Sequence, residues 1–218
     1  MPHAWDVAPR GLACEPRGMT ITSHLARRGL VPAALSLLFA ACGGGDGGTD
    51  AAASPDAFAA PPTCESYCAS VMSACTADAA QYGSMDACLG SCAALELGTA
   101  ADFTGNTIGC RMHHAAEAAE GNTEHCDHAG PMGAGECGEN CEGFCAIAVH
   151  TCTGANEVWA SVADCMTDCA MIDDSVEYNA LVQDGNSLAC RMYHLTMASE
   201  PGNAHHCDHI ALDSPVCL

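Results

Sequence analysis

The spacing of the cysteines constrains this chain more than any other feature. Eighteen occur in 218 residues, and sixteen of them form two sets of eight with nearly the same intervals. The first set is Cys64, Cys68, Cys75, Cys88, Cys92, Cys110, Cys126 and Cys137; the second is Cys141, Cys145, Cys152, Cys165, Cys169, Cys190, Cys207 and Cys217. The first four intervals are identical in the two sets, and the later ones differ by one to three residues. Other residues keep the same register: Tyr67 with Phe144, Tyr82 with Trp159, Ser84 with Ser161, and Asn106 with Asn186. Cys110-Arg-Met-His-His114 matches Cys190-Arg-Met-Tyr-His194, and His125-Cys-Asp-His128 matches His206-Cys-Asp-His209. Self-similarity at a fixed period of about 75 residues marks a duplicated structural unit.

Within a unit, Cys64, Cys68 and Cys75 recur at helical spacing and share one helix face, and Cys88 and Cys92 do the same on a second helix. Ser84 and Ser161 stand where a side-chain oxygen can cap that second helix. Two antiparallel helices of this kind can be laced by Cys64–Cys92 and Cys68–Cys88. Such lacing is similar to the twin C-x3-C hairpins of small mitochondrial import chaperones, in geometry alone. A third helix is expected from a cap at Asn106 to Glu120, stopped by Gly121, with a twin from Asn186 to Glu200 stopped by Pro201 and Gly202. The remaining cysteines of the first unit, Cys75, Cys110, Cys126 and Cys137, can pair in three ways, and spacing does not choose among them. The expected fold is mainly α and disulfide-rich: two tandem small helical units, each a twin C-x3-C hairpin plus a third helix.

Only ten aromatic residues are present, too few for a large conventional core, and cross-links at roughly 2–4 kcal/mol each can substitute for missing burial. So many cysteines point to an oxidising compartment. Lysine is absent, and beyond Cys42 there are 25 Asp and Glu against two Arg, a formal charge of −23. A chain so acidic repels phosphate backbones and anionic lipid surfaces, which excludes nucleic acid as a partner.

Upstream of the repeats, Arg27 and Arg28 precede an apolar run from Gly29 to Ala40, and Ala40-Ala41-Cys42 follows. This is a signal-peptide pattern, too short for a permanent membrane span. Phe39-Ala-Ala-Cys42 resembles the lipobox of bacterial lipoproteins, with Phe39 where the family most often has Leu. The resemblance implies that Cys42 is lipidated and becomes the new N-terminus. Gly and Asp residues after Cys42, then Ala, Pro and Ser up to Thr63, compose a flexible leash. We therefore divide the chain into a signal segment at 1–41 with a superfluous extension at 1–18, a lipidated tether at 42–63, and repeats at 64–140 and 141–218. From Cys42 to Leu218 the pattern resembles cysteine-rich lipoproteins of Gram-negative bacteria. That implies a lipid-anchored envelope location, on the outer membrane or its periplasmic face, with the membrane met only through the lipid, and no established activity.

Eight of the nine histidines beyond Cys42 flank the third helices: His113, His114, His125 and His128, then His194, His205, His206 and His209. His114 follows Cys110 by four residues, about 6 Å along a helix and on the same stripe. If Cys110 pairs with Cys126, His125 and His128 come within reach of His114. Three imidazoles with an open position suit Zn²⁺ or Cu²⁺, oxidised cysteines being unavailable, so the candidate ligands are His114, His125 and His128, and His194, His206 and His209. Asp127 or Asp208 can serve as a fourth or supporting ligand. The plain alternative is that these rings only satisfy hydrogen bonds on a half-buried face. Arg111 and Arg191 are expected to pair with carboxylates of their own units or to capture an anion. Met112, Met192 and Met197 read as core, a copper(I)-binding cluster being the sharper reading. No catalytic motif occurs, and no C-x2-C-H for covalent haem. The leading expectation is a binding or scaffold lipoprotein, more a non-enzyme than an enzyme. Its rivals are a metal- or haem-binding redox protein using the histidines and, more weakly, a thiol–disulfide exchange protein.

Overall fold

The computed structural model describes residues 60–218. The expected signal segment, Cys42 and the expected tether up to residue 59 lie outside the described residues. The first repeat forms α1 (Cys64–Ala74), α2 (Met85–Cys92), α3 (Ile108–Ala119) and the short α4 (His125–Ala129). The second forms α5 (Asn140–Thr151), α6 (Val162–Cys169) and α7 (Leu188–Ala198), then a 3-10 segment, Ala204–His209, in place of α4. Single 3-10 turns at Ala77–Ala79 and Gly154–Asn156 join the paired helices. None of the described helices is long and apolar enough to cross a membrane.

Helix starts follow the hydroxyl residues. Ser84 Oγ accepts from the Ala87 N–H at 3.0 Å and Ser161 Oγ from the Asp164 N–H at 3.2 Å, satisfying donors that have no partner inside the helix. The third helices are capped one residue later than expected. Thr107 and Ser187 accept from the N–H groups of Cys110 and Cys190, each at 3.2 Å, while the Asn106 amide oxygen accepts from Arg111 Nη2 at 2.9 Å instead. Gly121 ends α3 with φ of 102°, a left-handed conformation that costs glycine nothing.

The helical hairpins are laced by Cys64–Cys92 and Cys68–Cys88, and in the second repeat by Cys141–Cys169 and Cys145–Cys165. The other four bridges are Cys75–Cys126, Cys110–Cys137, Cys152–Cys207 and Cys190–Cys217. All sixteen cysteines are thus oxidised, each within its own repeat. The Cys110–Cys126 pairing is not formed: Cys126 joins Cys75 just past the end of α1, and Cys110 joins Cys137.

The described residues close into one compact unit. Tyr67, Val71, Phe144, Ile147, Leu188, Met192, Leu195 and Ile210 are fully or almost fully buried in a core that both repeats share. Tyr67 donates to the Ala129 carbonyl at 2.7 Å and lies 2.9 Å from the Tyr82 hydroxyl. Phe144 and Trp159 occupy the equivalent places as an edge-to-face pair with centroids 5.8 Å apart. Helix α2 rests on the end of α7, where a Cβ at Gly90 would collide with the Ser199 carbonyl. Tyr178 reaches across to donate to the Gln81 carbonyl at 3.0 Å, and Ser84 bonds Glu200.

Candidate metal centres

Helix geometry places Cys110, His114 and Glu117 on one stripe of α3, at positions i, i+4 and i+7. The Cys110–Cys137 bridge anchors the start of that stripe, and Cys75–Cys126 pins α4 beside it. His125 and His128 flank Cys126, so one disulfide presents both rings to His114. Ligand atoms of His114, His125 and His128 all lie within 4.8 Å of one another, and so do those of His194, His206 and His209. Each trio is one mostly buried ring, His114 or His194, and two half-buried ones.

In the second repeat the geometry also assigns the protons. His194 Nε2 lies 3.2 Å from the Gln183 carbonyl, which can only accept, so Nε2 carries the hydrogen and Nδ1 is bare. His206 Nδ1 is 3.0 Å and His209 Nδ1 3.2 Å from that bare nitrogen. Three ring nitrogens so arranged cannot all be satisfied by hydrogen bonds to one another. A tetrahedral Zn²⁺ with bonds of about 2.0–2.1 Å sets its nitrogen ligands about 3.3–3.4 Å apart, close to these distances. A carbonyl holding the far nitrogen is also how metal-ligating imidazoles are commonly oriented.

The first repeat gathers the same three rings with a different pattern of contacts. His114 Nδ1 lies 3.0 Å from His125 Nδ1, with His114 and His125 stacked, and His128 meets His114 edge-on at a centroid distance of 4.9 Å. His114 Nε2 and His128 Nδ1 are buried with no hydrogen-bond partner among the described residues. A buried imidazole nitrogen left unpaired is costly, and a cation among the rings would remove that cost for a nitrogen facing it. Glu117 Oε2 stands 3.1 Å from His114 Nδ1 and 3.0 Å from His125 Nδ1.

Burial favours the neutral rings that coordination requires. It lowers the pKa of His114, helped by the neighbouring His128, and that of His194, helped by His209. His206 is pushed down to about 4, by burial first and then by His205, His194 and His209. Cys110 and Cys137 lie beside His114, and Cys190 and Cys217 beside His194, but as disulfides they offer no thiolate.

Both arginines depart from expectation. Arg111 is wholly buried and donates from Nε to the Gly130 carbonyl at 2.9 Å, from Nη2 to Pro131 at 3.1 Å, and from Nη1 to Thr107 at 3.2 Å. Arg191 does the same to Ala211, Leu212 and Ser187 at 3.1 Å each. Among the described residues neither pairs with a carboxylate. Burial lowers both guanidinium pKa values, yet the group stays charged. The fork grips the chain two and three residues past His128 and His209, so it fixes the far side of each histidine loop. No carboxylate on α3 or α7 can reach the buried fork, whereas the loop carbonyls can.

Neither aspartate joins a cluster. Asp127 turns toward Gln81 and Glu177, where burial first and then Glu177 push its carboxyl up to about 7, and Asp208 is exposed. Glu117 was not anticipated; its signal is the i+3 spacing from His114. Met192 is core, Met112 Sδ sits 3.6 Å from Ser66 Oγ, and Met197 Sδ faces Gly83, so the three sulfurs do not share surroundings. His113 pairs with Glu117 at 3.5 Å, His205 lies tilted against His206 with ring centroids 4.2 Å apart, and His150 is exposed elsewhere.

Residues 46–141 match the model of the BfoA family C-terminal domain. The matched stretch holds part of the tether and the whole first repeat, including His114, Glu117, His125 and His128. No curated protein and no solved structure matches the chain.

Proposed function

We propose that this is an envelope-anchored, disulfide-rigidified binding lipoprotein whose ligands are two divalent transition-metal ions, Zn²⁺ or Cu²⁺, one in each repeat. The observation that carries the reading is the convergence of three Nδ1 atoms at 3.0 and 3.2 Å around His194, supported by the ligand atoms of His114, His125 and His128 lying within 4.8 Å of one another. The trios survive duplication although the residues between them differ, and each joins a ring on a long helix to two on a short segment held by a disulfide and an arginine. Imidazole donors favour Zn²⁺ and Cu²⁺ over harder cations. Because eight disulfides hold the fold, metal is not needed for folding, and the sites are pre-formed. With every described cysteine in a disulfide, thiol–disulfide exchange has no attacking thiolate there.

Calorimetry of the oxidised protein with Zn²⁺ and Cu²⁺ tests the proposal. Two ions per chain are expected, with uptake abolished in the His114→Ala/His194→Ala variant and its disulfides intact. Absence of saturable binding tighter than roughly 10 µM, worth only about 7 kcal/mol, refutes it.

A further inference from the structure

Duplication preserved the three histidines but not the residue beside them. Position 117 is Glu in the first repeat, and its counterpart three residues past His194 is Met197. The Glu117 carboxylate lies 3.0–3.1 Å from two of the three rings, placed as a fourth ligand. Met197 turns away, its sulfur facing Gly83 in the first repeat. No carboxylate reaches the three rings in its place, although Glu200 is near enough to His206 to raise its pKa slightly against the larger lowering effects. Glu200 is held by Ser84 and by Asn203, whose Nδ2 donates to it at 2.6 Å, and among the described residues no ion pair joins a carboxylate to His194, His206 or His209. His205 is exposed and lies tilted against His206, outside the group of converging ligand atoms.

We infer that the two metal sites divide the work: His114, His125, His128 and Glu117 close around one ion, while His194, His206 and His209 leave a fourth position open for an exchangeable small anion. This rests on the two-ion reading above. Closed four-ligand sites are structural or storage sites, whereas three protein ligands with a free position are what an ion needs to take water or an external donor. Charge points to the class of that donor. Three neutral imidazoles leave an M²⁺ ion with its full charge in the second repeat, whereas Glu117 reduces it to one in the first. A monodentate anion is therefore drawn to the second site, where it displaces the metal-bound water and no other bond changes.

Cobalt(II) makes the sites visible, since its d–d absorption reports coordination, and azide serves as the anion probe. His114→Ala leaves the second site alone and His194→Ala the first. Azide should shift the cobalt spectrum of His114→Ala and leave that of His194→Ala unchanged. In the full chain, Met197→Glu should abolish the azide response, and Glu117→Gln should create one in the first site and weaken its cobalt affinity about tenfold or more. Equal responses at both sites, or none at either, overturn the division while the two-ion reading stands. Failure of the full chain to bind cobalt at all removes both.

Discussion

Removing the Cys75–Cys126 bridge should cost stability and, more tellingly, uncouple one histidine trio. The bridge spans 51 residues, and the chain-entropy relation assigns a loop of that length about 14 cal/mol/K, or about 4 kcal/mol at 25 °C. The other bridges shorten the path somewhat, so about 4 kcal/mol is an upper figure. Cys68–Cys88 spans 20 residues and is worth about 3.3 kcal/mol by the same relation. The two losses are similar, but their consequences at the site are not. Helix α4 has five residues, too short to persist alone, and Cys126 lies between His125 and His128. Without its bridge, the loop is held by the Arg111 grip on Gly130 and Pro131 and by the Tyr67 hydrogen bond to the Ala129 carbonyl, neither of which fixes His125. In a His194→Ala background, where only the first site binds, Cys75→Ala/Cys126→Ala should lower Zn²⁺ affinity at least about tenfold. Cys68→Ala/Cys88→Ala should leave it within about twofold, the histidines being far from that bridge in the chain and on other helices. Urea unfolding measures the stability terms and calorimetry the affinity. Unchanged Zn²⁺ affinity in the Cys75/Cys126 variant would refute the argument that this disulfide presents the rings.

Arg111→Met should lose about 3–5 kcal/mol in urea unfolding, since it orphans the buried carbonyls of Gly130 and Pro131, and Arg111→Lys should not restore it because one ammonium cannot span the fork; a loss below about 1 kcal/mol counts against the clamp. Metal release on acidification should have its midpoint below pH 6.5, because the His114, His194 and His206 pKa values are lowered, the last to about 4; a midpoint at or above 6.5, followed by metal-sensitive dye, contradicts this. The Asp127 carboxyl, raised to about 7 in the folded protein, binds a proton there that the unfolded chain releases near its ordinary value of 3.8, so its contribution to stability falls as pH rises from about 4 to 7. Asp127→Asn should therefore gain stability relative to the parent at pH 8 compared with pH 5, and a pH-independent difference would show that the carboxyl titrates normally. Intact-mass analysis of the mature protein should find acylated Cys42 as its first residue, and residues 1–41 still attached would remove the lipid anchor.

The hairpins were legible because helical period and cysteine spacing are both local. Cys64 and Cys68 on one turn can only face a partner pair of the same spacing, and Ser84 and Ser161 cap where a hydroxyl precedes the helix. The internal repeat likewise named the six histidines, since a duplicated pattern shows in the sequence without any fold. Cap positions slipped by a single residue because Thr107 and Ser187 compete with Asn106 and Asn186, and Arg111 claims the Asn106 side chain.

What the sequence alone determined about this protein is its local and repetitive order: oxidised paired cysteines, laced helices, two equal histidine sets and a strongly acidic surface. Only the tertiary structure decided that Cys126 joins Cys75 and Cys110 joins Cys137, that the arginines grip carbonyls instead of carboxylates, and that Glu117 meets the histidines where Asp127 turns away. Each of these depends on which distant segments come to lie side by side. Spacing along the chain does not decide that when the three pairings differ by only about 1 kcal/mol in summed loop-closure entropy, and when a buried cation takes whichever acceptors the packed loops present.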